Sequence, residues 1–446
     1  MFESLIIATA LLCLAAILVG SRYYRDTFHP LVYIGALLGV LYVLYPAYLL
    51  WEGDLWLFLS ANDLVEIQGI YLVGVAALLL GIANGAGRRV NPEAFRSTYG
   101  LERLKWLRGA AIALGLAGVA GYAYCIVNVG GIEAAFSESY GGGFDASGYV
   151  REIFLLTLPA LLWLMVAYES RRPSLLVWGL IVLIASPFLT LGLLGARRGP
   201  TFMAVVGLGV GWYLMRHRRP RLLTVLGGGT LVGGLLLFIV TNRSSIYLGS
   251  EFQLEYRPLQ YIGAGIGNEY LYGGALILHA EEQGGYYWGG RYLQLFFVRP
   301  IPRALWPSKY DDASHALGVP SVDGGNAGLA TTDLRYTVGW SGGAGATPGI
   351  VADLWVEFWW LGLAGLFGIG WVYGRAWRKG VTRGGPWVPC FGILTSLSIY
   401  LVMQSMEAMG FRALLMLAGS IVVWHFGKHG GYETSSHQSV LSMVTK

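Results

Sequence analysis

Charge is scarce in this sequence. Only 13% of its 446 residues are Asp, Glu, Lys or Arg, and with a mean hydropathy of +0.55 this excludes a water-soluble surface over most of the chain. Cysteine is nearly absent. Cys13, Cys125 and Cys390 all fall inside apolar runs, which excludes a disulfide framework and leaves them as small core residues. The amino terminus reads MFES, without the basic flank of a cleavable signal, so Leu5 to Val19 is expected to be a retained span. The short alternating runs of a membrane β-barrel are missing. So are a nucleophile elbow, a Walker loop and any cluster with zinc-ligand spacing. His279 and His315 are isolated, and Asp311-Asp312 lacks a third partner at the spacing of a nucleotide-sugar metal site. No metal and no cofactor are expected.

What the sequence does have is apolar runs of roughly 17 to 22 residues, about the length an α-helix needs to cross ~30 Å of hydrocarbon. They fall at 4–20, 31–51, 67–84, 110–129, 153–168, 175–194, 200–215, 222–241, 348–373, 387–403 and 413–427. The expected fold is an all-α polytopic membrane protein of about eleven transmembrane helices. Residues 1–241 hold spans 1 to 8, 242–346 form one long loop between spans 8 and 9, 347–427 hold spans 9 to 11, and 428–446 are a tail.

Basic connections such as 88–108, 170–173, 216–221 and 375–383 alternate with acidic ones. With the N-terminus outside and the C-terminus cytoplasmic, 20 of the 31 Lys and Arg fall inside and 21 of the 26 Asp and Glu fall outside. The positive-inside rule favours that orientation over its inverse. The 242–346 loop is then extracytoplasmic, too long and too aromatic for a linker, and must fold against the membrane face. It contains an amphipathic stretch near Tyr270 to Glu281 and ends in a glycine-rich tract, Gly324 to Gly345.

Against that acidic outer face stand eleven basic residues: Arg151, Arg197, Arg198, Arg243, Arg257, Arg291, Arg299, Arg303, Lys309, Arg335 and Arg412. Any one of them is as readily explained by an outer carboxylate or a lipid headgroup. The turn Gly195-Ala196-Arg197-Arg198-Gly199-Pro200 is harder to dismiss. Pro200 suits the first turn of a helix, whose unpaired N–H groups would share their space with two arginines. Cations there are disfavoured by a few tenths of a kcal/mol or more unless an anion joins them, so an anion site is expected. At Thr347-Pro348-Gly349 the pattern recurs, with Thr347 able to cap and Pro348 to open the ninth span. Asp353 and Glu357, four residues apart, share a face of that helix. Costly there unless paired, they are expected to meet arginines, with Arg243 or Arg335 as structural partners, or a substrate hydroxyl.

The segment Arg299-Pro-Ile-Pro-Arg303-Ala-Leu-Trp306-Pro-Ser-Lys309 resembles a stretch of bacterial oligosaccharide repeat-unit polymerases of the Wzy type. Gly195 to Pro200 resembles that family's arginine-glycine turn, and Thr347 to Gly362 resembles its Thr-Pro-Gly helix. Tyr310 and Trp359-Trp360 depart from the family pattern. The resemblance implies a fold similar to the C superfamily of membrane glycosyltransferases (GT-C-like), sited in the bacterial cytoplasmic membrane. It implies extracytoplasmic transfer of a growing glycan from undecaprenyl diphosphate to a new lipid-linked repeat unit. Partners would be those lipid-linked oligosaccharides and membrane lipid, with a flippase and a chain-length regulator alongside, and no nucleic acid. Arg197, Arg198, Arg243, Arg291, Arg303, Lys309 and Arg335 would then hold the diphosphate or sugars, with Trp306 and Tyr292 offering aromatic faces; of the two turn arginines, Arg198 precedes the glycine as in the motif. Guanidinium forks and helix N-termini can hold a departing diphosphate without a metal. Asp353, Glu357, Glu269 and His315 are the candidate bases. A ligase of the same superfamily, a lipid-linked glycan transporter and a non-enzymatic scaffold stay open as alternatives.

Overall fold

The computed structural model describes every residue except 54, 56–58, 91–100, 138–143, 169–172, 196, 216–218, 243–268, 321–333, 335–346 and 430–446; of 101–102, 144–149, 214–215, 240 and 428–429 it describes the backbone alone. In chain order, apart from a five-residue helix at Ile132–Phe136, the helices are α1 (Phe2–Tyr23), α2 (Pro30–Glu52), α3 (Ala61–Ala86), α4 (Arg103–Val129), α5 (Val150–Ala167), α6 (Leu175–Leu193), α7 (Arg198–Met215), α8 (Leu222–Ile239), α9 (Glu269–Gln283), α10 (Gly290–Leu293), α11 (Lys309–Leu317), α12 (Gly349–Phe358), α13 (Gly362–Arg383), α14 (Trp387–Ser396), α15 (Ser398–Met403) and α16 (Met406–His429). No strand occurs among the described residues. The chain is a multi-pass helical membrane protein.

Each of the eleven predicted apolar runs is helical, and nine candidate spans among the described residues are long and apolar enough to cross a membrane. The seventh run, α7, falls short because Arg198, Pro200 and its glycines dilute it. The tenth is broken at Leu397 into α14 and α15. The ninth is also not one rod. Trp359 takes φ 51°, a left-handed conformation costly for a bulky residue, and a 3-10 turn over Trp359–Leu361 separates α12 from α13. The ten residues of α12 span about 15 Å at 1.5 Å each, too little to cross, whereas the 22 of α13 span about 33 Å. Cys13 and Cys125 are buried, and all three cysteines are free thiols.

Two compact units emerge, each described by itself: unit 1 is 1–89, 257–378 and 398–411, and unit 2 is 90–256, 379–397 and 412–446. In unit 1, α3 begins at a capping box in which Ser60 Oγ accepts from Asp63 N and Asp63 accepts from Ser60 N. It packs on α13 almost backbone to backbone. A Cβ at Gly81 or Gly85 would overlap the carbonyls of Phe367 and Trp371, and one at Gly370 or Gly374 those of Leu78 and Ile82. Paired small residues four apart let two membrane helices approach this closely.

Buried polar groups then tie part of the 242–346 segment to the spans. Gln68 Nε2 donates to Thr9 Oγ1 (3.1 Å) and to the Tyr42 carbonyl (3.2 Å), and Gln68 Oε1 accepts from Tyr270 OH (2.9 Å). Tyr71 OH donates to the Tyr270 carbonyl (2.9 Å). The stretch read as amphipathic is α9, buried from Glu269 through Leu278 on every side rather than on one face, because it is enclosed by α3 and α12. Unit 2 has an apolar core in which Trp163, wholly buried, donates to Ser420 Oγ (2.8 Å) and stacks on Trp424.

Candidate functional site

The chain after α9 reverses through Gly284 and Gly289, both at positive φ, and docks on the end of α12. There Tyr287 N donates to the Val356 carbonyl (3.2 Å) and Trp288 N to the Glu357 carbonyl (2.7 Å), satisfying carbonyls that the last turn of a helix leaves open. This docking sets α10 against the face of α12 that carries Asp353 and Glu357. Both acids are buried, as is Arg291.

Arg291 sits among three carboxylates. Its Nη2 lies 2.6 Å from Asp353 Oδ1 and 3.2 Å from Glu407 Oε2, and its Nη1 lies 3.4 Å from Glu357 Oε2. Its backbone N–H donates to Glu357 Oε1 (3.3 Å). Asp353 Oδ2 accepts from Tyr292 OH and from Met406 N, both at 2.8 Å. The second of these holds a carboxylate at the first N–H of α16, where an anion suits the helix dipole. Burial opposes the Arg291 charge, but Asp353, Glu407 and Glu357 outweigh it and raise the guanidinium well above its ordinary pKa. One cation therefore serves all three acids. Hydrogen bonding inside the cluster is incomplete: among the described residues, Arg291 Nε and Nη1, Glu357 Oε2 and Glu407 Oε1 are buried without a hydrogen-bond partner.

Of the residues expected at a site, the structure brings together Asp353, Glu357, Arg291 and Tyr292. The expected arginine partner of the two acids was Arg243 or Arg335; both lie outside the described residues, and the partner observed is Arg291. Arg291 itself was expected to meet substrate anion, and instead protein carboxylates surround it. Lys309 differs in the same way. Buried at the start of α11, its ammonium donates to the carbonyls of Val298 (3.3 Å), Arg299 (2.8 Å) and Ile301, closing the proline-rich loop from within. Trp306 Nε1 and Ser308 Oγ both donate to Asp312 Oδ2 at 2.6 Å, and these two bonds lower the Asp312 pKa. Arg303 is exposed, with its guanidinium 5.4 Å from the Tyr310 ring centre. His315 is exposed in the last turn of α11, and Glu269 is buried in the first turn of α9.

In unit 2, Arg197 and Arg198 are half-buried at the expected turn. Arg197 N donates to the Gly192 carbonyl (3.1 Å), and α7 opens at Arg198 with Pro200 in its first turn. The second expected helix start differs in detail. Thr347 does not cap α12; its hydroxyl donates to the Met403 carbonyl (2.7 Å), because the chain turns at Gly349, φ 70°.

Glu407 is the member that sequence reasoning missed, since its helix begins seven residues before the apolar run at 413. A signal existed in Ser405, which accepts from Ala408 N (3.2 Å) and is followed by an acid in the first turn. Among the described residues no group of His, Cys, Asp or Glu is arranged to hold a metal ion. Compared with family models, with curated proteins and with solved structures, the chain has no significant match in any of the three.

Proposed function

We propose that the protein is a membrane glycosyltransferase that polymerises undecaprenyl-diphosphate-linked repeat units into a surface polysaccharide. The class comes from the three segments that resemble repeat-unit polymerases. One observation supports a reactive centre: Asp353 and Glu357, inside one of those segments, gather with Arg291, Tyr292 and Glu407 into a buried cluster of three acids and one cation. Burying this much charge is costly by several kcal/mol per ion before pairing, and sites that bear such a cost are often functional.

In this reading the N-terminus and the 242–346 loop are extracytoplasmic, the fold is GT-C-like, and the membrane is the bacterial cytoplasmic one. Arginines hold the lipid diphosphate as negative charge develops on it, Arg303 among them, while Arg291 and Lys309 hold the protein. The test is the purified protein in lipid vesicles, supplied with lipid-linked repeat units. A ladder of lengths is expected. Absence of any product longer than one unit would overturn the reading, and transfer only to a lipopolysaccharide core would make the protein a ligase.

A further inference from the structure

We propose that Glu407 is the group that accepts the proton of the attacking sugar hydroxyl, an inference that rests on the glycosyl-transfer reading. The three acids of the cluster differ in what their oxygens are doing. Asp353 has both oxygens engaged by three donors, from Arg291, Tyr292 and Met406. Glu357 is sealed at 0% exposure, with one oxygen on the Arg291 backbone N–H and the other beside Arg291 Nη1.

Glu407 stands at the cluster's edge. Its side chain is 11% exposed, against 1% for Arg291 and 0% for Asp353. Oε2 is held 3.2 Å from Arg291 Nη2, and the buried Oε1 has no hydrogen-bond partner among the described residues. Arg291 Nε, on a side chain 1% exposed, is also without a hydrogen-bond partner among the described residues. A hydroxyl both donates and accepts, so it is the kind of group that can meet an unmatched acceptor and an unmatched donor together. Glu407 is the one acid of the three that combines exposed side-chain surface with an oxygen engaged by neither Arg291 nor a backbone N–H, whereas Asp353 would have to surrender a helix cap and Glu357 its bond from the Arg291 N–H.

In the step itself the acceptor O–H proton moves to Glu407 while the acceptor oxygen bonds to the anomeric carbon of the growing glycan. The bond from that carbon to the lipid diphosphate breaks, and its electron pair leaves with the diphosphate. Arg291 keeps Glu407 in place, and Asp353, Glu357 and Arg299 are the other charged groups that act on it.

The experiment measures polymerisation kinetics of Glu407→Gln, Glu407→Asp and wild type in vesicles across pH. General-base assistance contributes about 10²–10⁴-fold, so Glu407→Gln is expected to lower kcat at least ~100-fold with KM within about threefold and to lose the acidic limb of the pH profile. Glu407→Asp, which keeps the carboxylate, is expected to recover part of kcat and to retain that limb. If wild type polymerises and Glu407→Gln stays within about threefold of it, the inference fails while the reading stands. Should Glu407→Gln fail to fold, Glu407→His takes its place, and an acidic limb that stays where wild type has it, rather than moving toward the imidazole range, overturns the inference equally. A wild type that makes no polymer overturns both.

Discussion

Arg291 Nη2 and Asp353 Oδ1 lie 2.6 Å apart, with Arg291 only 1% exposed and Asp353 fully buried. A buried pair of this kind is poor evidence for net stabilisation, yet breaking one is costly because the survivor is left charged in an apolar setting. Here three survivors would remain.

Arg291→Gln is therefore expected to destabilise the protein by about 3–5 kcal/mol, read as a lower melting temperature in detergent and less protein in the membrane. Arg291→Lys should recover little, because an ammonium cannot reproduce the fork between Asp353 and Glu357. A melting temperature unchanged in both variants would mean the cluster does not hold α10 to α12.

The α3–α13 contact predicts a contrast within one helix. Gly370→Leu forces a side chain into the Leu78 carbonyl, and overpacking of this sort costs about 1–3 kcal/mol or more. Gly368→Ala, where nothing lies within 4 Å of a new Cβ, should leave thermal stability unchanged or slightly raised. Equal effects from both would refute the close approach.

Lys309 and Arg303 should separate, although the same motif carries them. Lys309→Met is expected to lower both melting temperature and polymer yield, because three carbonyls lose their donor. Arg303→Ala, altering an exposed side chain, should lose long-chain polymer while the melting temperature stays close to that of wild type. Loss of stability in Arg303→Ala would recast it as a structural residue.

Glu281 gives a pH dependence. Its carboxyl is pushed up to about 7 by burial and by a hydrogen bond shared with Glu66, against an ordinary value of 4.5. Between those values the folded protein binds more protons than the unfolded chain, so stability is fullest below 4.5 and falls as pH rises through 7. Melting temperature measured from about pH 4.5 to about pH 8 should decline less steeply in Glu281→Gln than in wild type. Parallel declines would contradict the assignment.

Metal dependence separates two ways of holding a diphosphate. If guanidinium groups hold it, a chelator should leave the ladder of products intact. Loss in chelator with recovery on Mg²⁺ would remove that reading of the arginines.

Hydropathy made the helices legible, since every predicted apolar run is helical. It did not reveal the break at Trp359, because a single left-handed residue leaves the apolar character of a run unchanged. Asp353 and Glu357 could be paired from their spacing alone. Their closure by Arg291 could not: the partners are 62 and 66 residues away in sequence, and the docking of Tyr287 N and Trp288 N on the Val356 and Glu357 carbonyls brings them together. The glycine pairs at 81/85 and 370/374 are plain in the sequence, but which helix faces which is a tertiary fact.

Gln68 and Tyr71 receive their partner from Tyr270, about 200 residues later in the chain. At translation rates of about 5–20 residues per second the first three helices must wait on the order of 10–40 s for it. Throughout that interval a nascent chain carries unsatisfied polar groups among apolar ones, and arrival of α9 is the event that ends it. The order of synthesis thus gives the cell a window in which an incomplete molecule is chemically distinguishable from a finished one.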